Sequence, residues 1–231
     1  MPKKLLEFIT DVIFPKQCFG CSREGFWICP DCLKKIKIFD SFSCPVCQKR
    51  LPDGKICEGC QRKTKLFRFF AAASYEDKLI KEVIHKLKYS FVRNLSSPLS
   101  DLIINFLKNL NIDFSGFLIV PVPLYKSRER WRGFNQSEEI AKEISKNFKI
   151  PLIPNNLIKI KNTLPQVKIN DFQERKENIK EAFLVKKPEI FCGKKIILID
   201  DVYTTGSTME ECAKVLKQTG AKEIWGIVVA K

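Results

Sequence analysis

A mostly parallel α/β sheet domain, preceded by a small cysteine-rich zinc-binding domain, is the fold class this 231-residue sequence predicts. Three observations lead there. Eight of the ten cysteines fall before residue 61, as four CxxC pairs. Apolar runs of strand length alternate with helical patterns from residue 66 onward, and the last segment reads strand, helix, strand with short turns between. The length suffices for one medium domain and one small one.

The opening KKLLEFITDVIF is basic and apolar, but Glu7 and Asp11 interrupt it, so a short amphipathic helix is expected rather than a signal peptide. The cysteine pairs follow: Cys18 and Cys21, Cys29 and Cys32, Cys44 and Cys47, Cys57 and Cys60. Two cysteines separated by two residues form a knuckle whose thiolates converge on one tetrahedral ion. Two knuckles close a four-thiolate zinc site that organises a segment too small for its own core, so four knuckles imply two structural zinc ions. Sequential pairing puts Cys18, Cys21, Cys29 and Cys32 on one ion and Cys44, Cys47, Cys57 and Cys60 on the other, with seven and nine residues in the loops. A crossed pairing satisfies the same spacing. A redox CxxC belongs in a βαβ context, whereas the flanks here are short, polar and Gly/Pro-containing.

The charged joint QRKTK after Cys60 places the domain boundary, giving residues 1–62 and 63–231. LFRFFAAASY reads as a strand. Asp77 to Lys88 spaces Leu79, Ile80, Val83, Ile84 and Leu87 as one helix face, and SSPLSDLIINFLKNL carries Ser97 as a cap before Pro98. FLIVPVP from Phe117 is a buried strand, and Asn135 to Phe148 a helix with an Asn135/Glu138 capping pair. LIKIKN alternates as a strand, and Asp171 caps a polar helix that ends before AFLV. IILID then forms a strand, Thr208 opens a helix with Met209, Cys212, Ala213 and Leu216 on one face, and Gly220 ends it before the strand EIWGIVVA.

Forty-one Lys and Arg against 26 Asp and Glu give a formal charge of +15, which favours a polyanion: nucleic acid, phosphorylated metabolite or anionic membrane surface. Basic surfaces also serve solubility alone. Eight thiolate charges against four positive charges from two zinc ions lower the balance to about +11. No run approaches the ~20 apolar residues of a membrane span. The cysteine usage points to a reducing, cytoplasmic setting.

In ILIDDVYTTGST, Asp200 and Asp201 fall at the carboxyl end of a strand, where open α/β sheets bind ligands. Small residues and hydroxyls at Thr204, Thr205, Gly206, Ser207 and Thr208 precede a helix, whose free N–H groups suit phosphate. Carboxylates would repel that phosphate but accept hydrogen bonds from vicinal sugar hydroxyls nearby, so a phosphorylated ribose satisfies both halves. Either feature alone reads as an ordinary cap and turn. In VPVPLYKSRERWRGFNQ, Lys126, Arg128, Arg130 and Arg132 follow at every second position with Glu129 between them. Extended, they share a face and suit a second anion; equally, such a run can be a solvated loop.

The acidic pair and hydroxyl loop resemble the phosphoribosyl pyrophosphate signature of type I phosphoribosyltransferases, from which Tyr203 departs as a bulky residue expected to alter the sugar-pocket wall. The CxxC knuckles, VIHKLKY, VPVPLYKSRERWRGFNQ, TLPQVKINDFQERKENIKEAF and ILIDDVYTTGST, in that order, resemble the ComF family of competence-associated proteins over essentially the whole chain. The resemblance implies that Asp200 and Asp201 hold the ribose hydroxyls and Thr204 to Thr208 the 5-phosphate. It further implies a pyrophosphate loop at Val122, Pro123 and Leu124, and a flap over Lys126, Arg128, Arg130, Arg132, Gly133, Phe134, Asn135 and Gln136. Gln166, Arg175 and Asn178 are candidate binding residues. Magnesium would accompany the phosphoribosyl pyrophosphate.

No general base stands out: His85 reads as structural or surface, and Cys192 and Cys212 as packing residues. Two function classes remain. One is phosphoribosyl transfer to an unidentified acceptor with release of pyrophosphate. The other is a non-catalytic module for single-stranded DNA, or an adaptor for a translocation helicase, that keeps the donor pocket as a ligand sensor. The link to natural transformation follows from the resemblance.

Overall fold

The computed structural model describes residues 16–90, 92–163 and 172–231. The expected N-terminal helix, the Asp171 cap and Gln166 lie outside the described residues.

The cysteine-rich region holds helix α1 (Pro30–Lys35) and a two-stranded antiparallel hairpin, β1 (Phe42–Ser43) with β2 (Arg50–Leu51). Strand β3 (Arg68–Ala73) follows, then α2 (Lys78–Tyr89) capped by Asp77, whose carboxylate accepts from the N–H groups of Leu79 and Ile80. Helix α3 (Ser96–Asn109) comes next. Ser97 is not its cap: a 3-10 turn, Arg93–Leu95, runs directly into the helix, so Ser97 and Pro98 already sit in the first turn. Then come β4 (Phe117–Pro121), α4 (Lys126–Arg132) and α5 (Gln136–Phe148). Asn135 caps α5, but Glu138 is ion-paired with Lys142 instead of reaching back to the cap. Strand β5 (Leu157–Lys159), α6 (Phe172–Ile179), β6 (Phe183–Val185), β7 (Lys195–Val202), α7 (Ser207–Gln218) and β8 (Glu223–Ala230) complete the order.

The main sheet runs β3-β8-β7-β4 with every pairing parallel, and β5 and β6 form a separate antiparallel pair. Parallel strands covered on both faces read as unbroken apolar runs, which is why β7 carries Ile-Ile-Leu-Ile at 196–199 and β8 Ile-Val-Val at 227–229. Alternation divides them between two layers. Ile197, Ile199, Ile227 and Val229 pack with the buried stripes of α2, α3 and α5, while Ile196, Leu198 and Val228 pack with Met209, Cys212, Ala213 and Leu216 of α7. Cys212 is thus the packing residue expected, whereas Cys192 is exposed in the turn before β7.

The open edge of β3 is covered by the cysteine-rich region. Phe39 N–H donates to Ala72 O at 2.9 Å, Phe69 N–H to Gly54 O at 2.9 Å and Ile56 N–H to Phe67 O at 3.0 Å. Backbone groups that would otherwise offer an unpaired edge are satisfied this way. Phe69 and Phe70 of β3 are both buried, one in each of the two layers.

Candidate functional site: an acidic pair and a helix start in one cavity

Strand β7 carries Asp200 and Asp201 just before its last residue, Val202, at the carboxyl edge of the sheet. Asp201 is 2 % exposed, and the Lys88 ammonium, from the last turn of α2, stands 2.9 Å from its Oδ2. The contact is an ion pair without good hydrogen-bond angles. Asp200 Oδ1 accepts from Ser137 Oγ at 2.8 Å and from the Asp201 N–H at 2.9 Å. Burial, with the adjacent Asp201 charge adding to it, pushes the Asp200 carboxyl up to about 7 against the opposing pull of Lys88 and Ser137. Burial works against the Lys88 charge, yet Asp201 and Asp200 together outweigh it and hold that amine above its ordinary range. The site therefore keeps a cation directly against its carboxylates.

Helix α7 starts immediately beyond, at Ser207, with Gly206 as its N-cap in the left-handed region (φ 77°) and without a side chain to cap it. Thr205 Oγ1 lies 3.0 Å from Ser207 Oγ and accepts from the Ser207 N–H at 3.5 Å. A helix start edged by hydroxyls, with a glycine cap, is an anion site in chemical terms. A side chain at Gly206 would run into the ring of Tyr203, which lies beneath the loop with its centroid 4.5 Å from that of Phe69. Tyr203 thus supports the loop from below and faces a second cavity; it does not wall the cavity of the acidic pair, as its bulk at that position led one to expect.

The acidic pair opens into a cavity of about 750 Å³. Of the sequence-predicted residues, Val122, Pro123, Leu124, Arg128, Arg132, Gln136, Arg175, Asp200, Asp201, Thr204 and Thr208 line it. Lys126 and Arg130 do not, and the extended basic face is corrected: Lys126–Arg132 is helical. Tyr125 O accepts from the N–H groups of Arg128 and Glu129, and Gly133 (φ 81°) ends the helix. Alternate residues of a helix point apart, whereas Arg128 and Arg132, four apart, share the inward side. The Arg132 guanidinium is buried, contacts Gln136 and lies 6.0 Å from the Tyr89 ring centre. Arg128 donates to Thr163 O at 2.9 Å.

The remaining predicted residues build the surroundings. Asn135 donates from Nδ2 to Val122 O at 3.0 Å and accepts from the Ser137 N–H, so one side chain ties the loop after β4 to the start of α5. Phe134 is core, Gly133 is the helix stop, and Thr205, Gly206 and Ser207 shape the turn. Arg175 Nη1 reaches Thr204 Oγ1 at 3.4 Å, whereas Asn178 is away from the cavity lining.

Sequence reasoning missed Lys88, Lys159 and Ser137; His85, read as structural or surface, lines the cavity, its ring 4.8 Å from Tyr89. Lys88 carried a signal: it lies four residues after buried Ile84 and extends the apolar stripe of α2. Lys159 carried a misleading one. In β5 the buried positions are Leu157 and Lys159, while Ile160 beyond is exposed, the reverse of ordinary patterning. Burial, aided by the Arg128 charge, lowers the Lys159 amine to about 8.

Both cysteine quartets converge in the sequential pairing, with all ligand atoms of each within 4.8 Å of one another. Cys21 and Cys29 sulfurs are 3.6 Å apart, Cys47 and Cys57 3.6 Å, Cys44 and Cys57 3.7 Å. Tetrahedral zinc with ~2.3 Å Zn–S bonds requires sulfurs about 3.8 Å apart, so the donor sets fit that ion, with no coordination position left open. Among the described residues no helix is long and apolar enough to cross a membrane.

Comparison with known proteins gives two family models: a double zinc ribbon domain matches residues 9–61, and a phosphoribosyl transferase domain matches residues 131–231. Competence protein F of Haemophilus influenzae is 39% identical over 116 residues, which span 48% of this chain and only 50% of that protein. DNA utilization protein YhgH of Escherichia coli is 30% identical over 227 residues, 91% of this chain and 96% of that protein. Competence protein ComFC of Bacillus subtilis is 27% identical over 209 residues, 84% of this chain and 79% of that protein. With double zinc ribbon and phosphoribosyltransferase domain in one chain, and near full-length similarity to such a relative, the protein belongs to the ComF family.

Proposed function

We propose that residues 63–231 bind phosphoribosyl pyrophosphate with magnesium and transfer its phosphoribosyl group to a nucleophilic acceptor, releasing pyrophosphate, in the service of DNA uptake. Residues 1–62 act as the zinc module. One observation carries the reading: a carboxylate pair, half-buried Asp200 and buried Asp201, and the start of α7 share one cavity with Arg128, Arg132, Lys159 and Arg175. The names of the relatives, competence and DNA utilization proteins, support the setting.

In this reading the 5-phosphate takes the N–H groups and hydroxyls from Thr204 to Thr208. Asp200 and Asp201 accept from the ribose hydroxyls. Arg128 and Arg132 face the pyrophosphate, with the Val122–Leu124 backbone beside it. In the transfer the bond from the anomeric carbon to the pyrophosphate oxygen breaks, the electron pair leaves with pyrophosphate, and the acceptor's lone pair forms the new bond. Cations preplaced where that negative charge gathers lower the barrier. Magnesium would be held by carboxylate oxygen of Asp200 or Asp201, both suitably hard donors, and would supply further neutralisation of the pyrophosphate. Lys88 must give up part of its hold on Asp201 as the sugar enters.

Calorimetric titration of the zinc-loaded protein with phosphoribosyl pyrophosphate and magnesium tests this. Binding is expected in the wild type and absent in Asp200→Asn/Asp201→Asn; equal binding by both would remove the assignment. Pyrophosphate release across a panel of acceptors tests turnover.

A second reading has its own observation. Trp131 is 54 % exposed at the cavity mouth near Arg132 and Tyr89, an aromatic and cationic rim of the sort that stacks single-stranded bases. There the protein senses the donor while holding single-stranded DNA or a translocation helicase. Donor binding without turnover on any acceptor, together with strand binding that weakens steeply with salt, favours it.

A further inference from the structure

The acidic pair already has a cation against it. Lys88 projects from the last turn of α2, where the carbonyl end of a helix favours positive charge. Its stem continues the buried stripe of Ile80, Val83, Ile84 and Leu87, so packing as well as charge fixes where the ammonium stands. That place is 2.9 Å from Asp201 Oδ2, on a carboxylate whose side chain is 3 % exposed. On Asp200, Oδ1 is committed to Ser137 Oγ and to the Asp201 N–H. Magnesium demands a near-regular octahedron of oxygens at about 2.0–2.1 Å. Here it would meet one carboxylate faced by an ammonium and another partly engaged, and would enter in competition with Lys88.

The charge around the cavity points the same way. Among the described residues five cations line it, Lys88, Arg128, Arg132, Lys159 and Arg175, against two carboxylates, a surplus of three positive charges. Fixed cations and a metal ion do the same electrostatic work on a polyphosphate, and fixed ones need no reorganisation when it arrives. We propose that Lys88 is a binding residue that takes the place of a divalent ion: as the sugar reaches Asp201, the ammonium turns toward the pyrophosphate, and the ligand binds without magnesium. This rests on the function proposed above and narrows it, since the ligand becomes a metal-free pyrophosphorylated sugar, with magnesium a helper rather than a requirement. An ammonium carries three N–H groups on a flexible stem, so it can keep one on Asp201 and offer the others to phosphate oxygens. Arg132 is set to donate to the same oxygens, for its buried Nε has no hydrogen-bond partner among the described residues.

The test is calorimetric titration of the zinc-loaded full chain with the sodium salt of phosphoribosyl pyrophosphate, in buffer with magnesium and in buffer freed of divalent ions on a chelating resin beforehand. Wild-type affinity is expected to differ by no more than about threefold between the two, the weight of a solvent-screened ion contact. Lys88→Met is expected to lose about ten- to a hundredfold without magnesium, the range for one hydrogen bond to a charged group, and to regain most of it when the metal is restored. Lys88→Arg, which keeps a cation, should hold metal-free binding near the wild-type level. A loss in Lys88→Met that is equal with and without magnesium is how a merely structural residue behaves, and it would overturn the inference. So would a wild type that binds only with magnesium, which leaves the proposed function intact. No binding under either condition sinks the proposed function, and this inference with it. Thermal melts check the fold of each variant; should Lys88→Met melt early, Lys88→Gln, which still donates to Asp201 without the charge, gives the same comparison.

Discussion

Replacing Asp200 by asparagine is expected to stabilise the unliganded protein while removing its ligand. The native carboxyl is moved from 3.8 to about 7 by burial and by Asp201. A folded pKa above the unfolded one means that the native state still holds a proton that the unfolded chain has already released. Stability therefore falls as pH rises from about 4 to about 7, and the penalty is complete above that window. At ~1.4 kcal/mol per pKa unit, the ionised carboxyl costs on the order of 4 kcal/mol. Relaxation and solvent screening around a half-buried group reduce this to about 2 kcal/mol. Asparagine keeps an oxygen for the Ser137 hydroxyl without the charge. Urea denaturation of zinc-loaded wild type and Asp200→Asn at pH 8 and pH 5.5 reads the effect. Asparagine should gain about 2 kcal/mol at pH 8, a melting shift of roughly 4–8 °C, and about half as much at pH 5.5. A destabilised variant at pH 8, or an equal shift at both pH values, would refute the account of a strained acidic pair.

Lys88→Met leaves Asp201 buried without its cation and should cost about 2–4 kcal/mol in urea denaturation; in an Asp201→Asn background the same substitution should cost much less, and equal costs would argue against the ion pair. Gly206→Ala meets both a left-handed backbone and the Tyr203 ring, so a loss of about 1–3 kcal/mol is expected in thermal melts, with weaker phosphate binding by calorimetry. Elemental analysis should find two zinc ions per chain, and chelation should abolish the protection from proteolysis of residues 16–60 while the parallel sheet keeps its circular dichroism; one ion per chain would contradict the second quartet.

The strand and helix order was legible because parallel strands and amphipathic helices leave strong periodic signals, and spacing marked the four cysteine knuckles while leaving sequential and crossed pairing equally open until the structure brought each quartet together. What stayed hidden depended on tertiary placement. Lys126–Arg132 looks like an extended basic ladder until Gly133 is recognised as a helix stop, and only the helix reveals that Arg128 and Arg132 are the inward pair. Lys159 defied its own alternation because the cavity, not the core, sets which side of β5 is inside. Lys88 and Asp201 are more than a hundred residues apart, and no local pattern joins them. Tyr203 could be flagged as unusual but not placed, since its neighbour Phe69 comes from the far edge of the sheet.

The strand order β3-β8-β7-β4 also governs how the protein is made. Its two outer strands leave the ribosome first, and they never touch each other. β4 ends at Pro121 and β7, the strand it pairs with, begins at Lys195. At ordinary translation rates that gap of about 75 residues leaves the β7 side of β4 unpaired for roughly 4–15 seconds, although its other side can already bond to Pro151 and Ile153. The zinc ribbon, already synthesised and able to close on its ions, is in position to shield the β3 edge during that interval, through the same backbone contacts it makes in the finished fold. Without its ions the ribbon would leave that edge uncovered while the chain is still being made, so a larger insoluble fraction on synthesis under zinc depletion is the expected outcome.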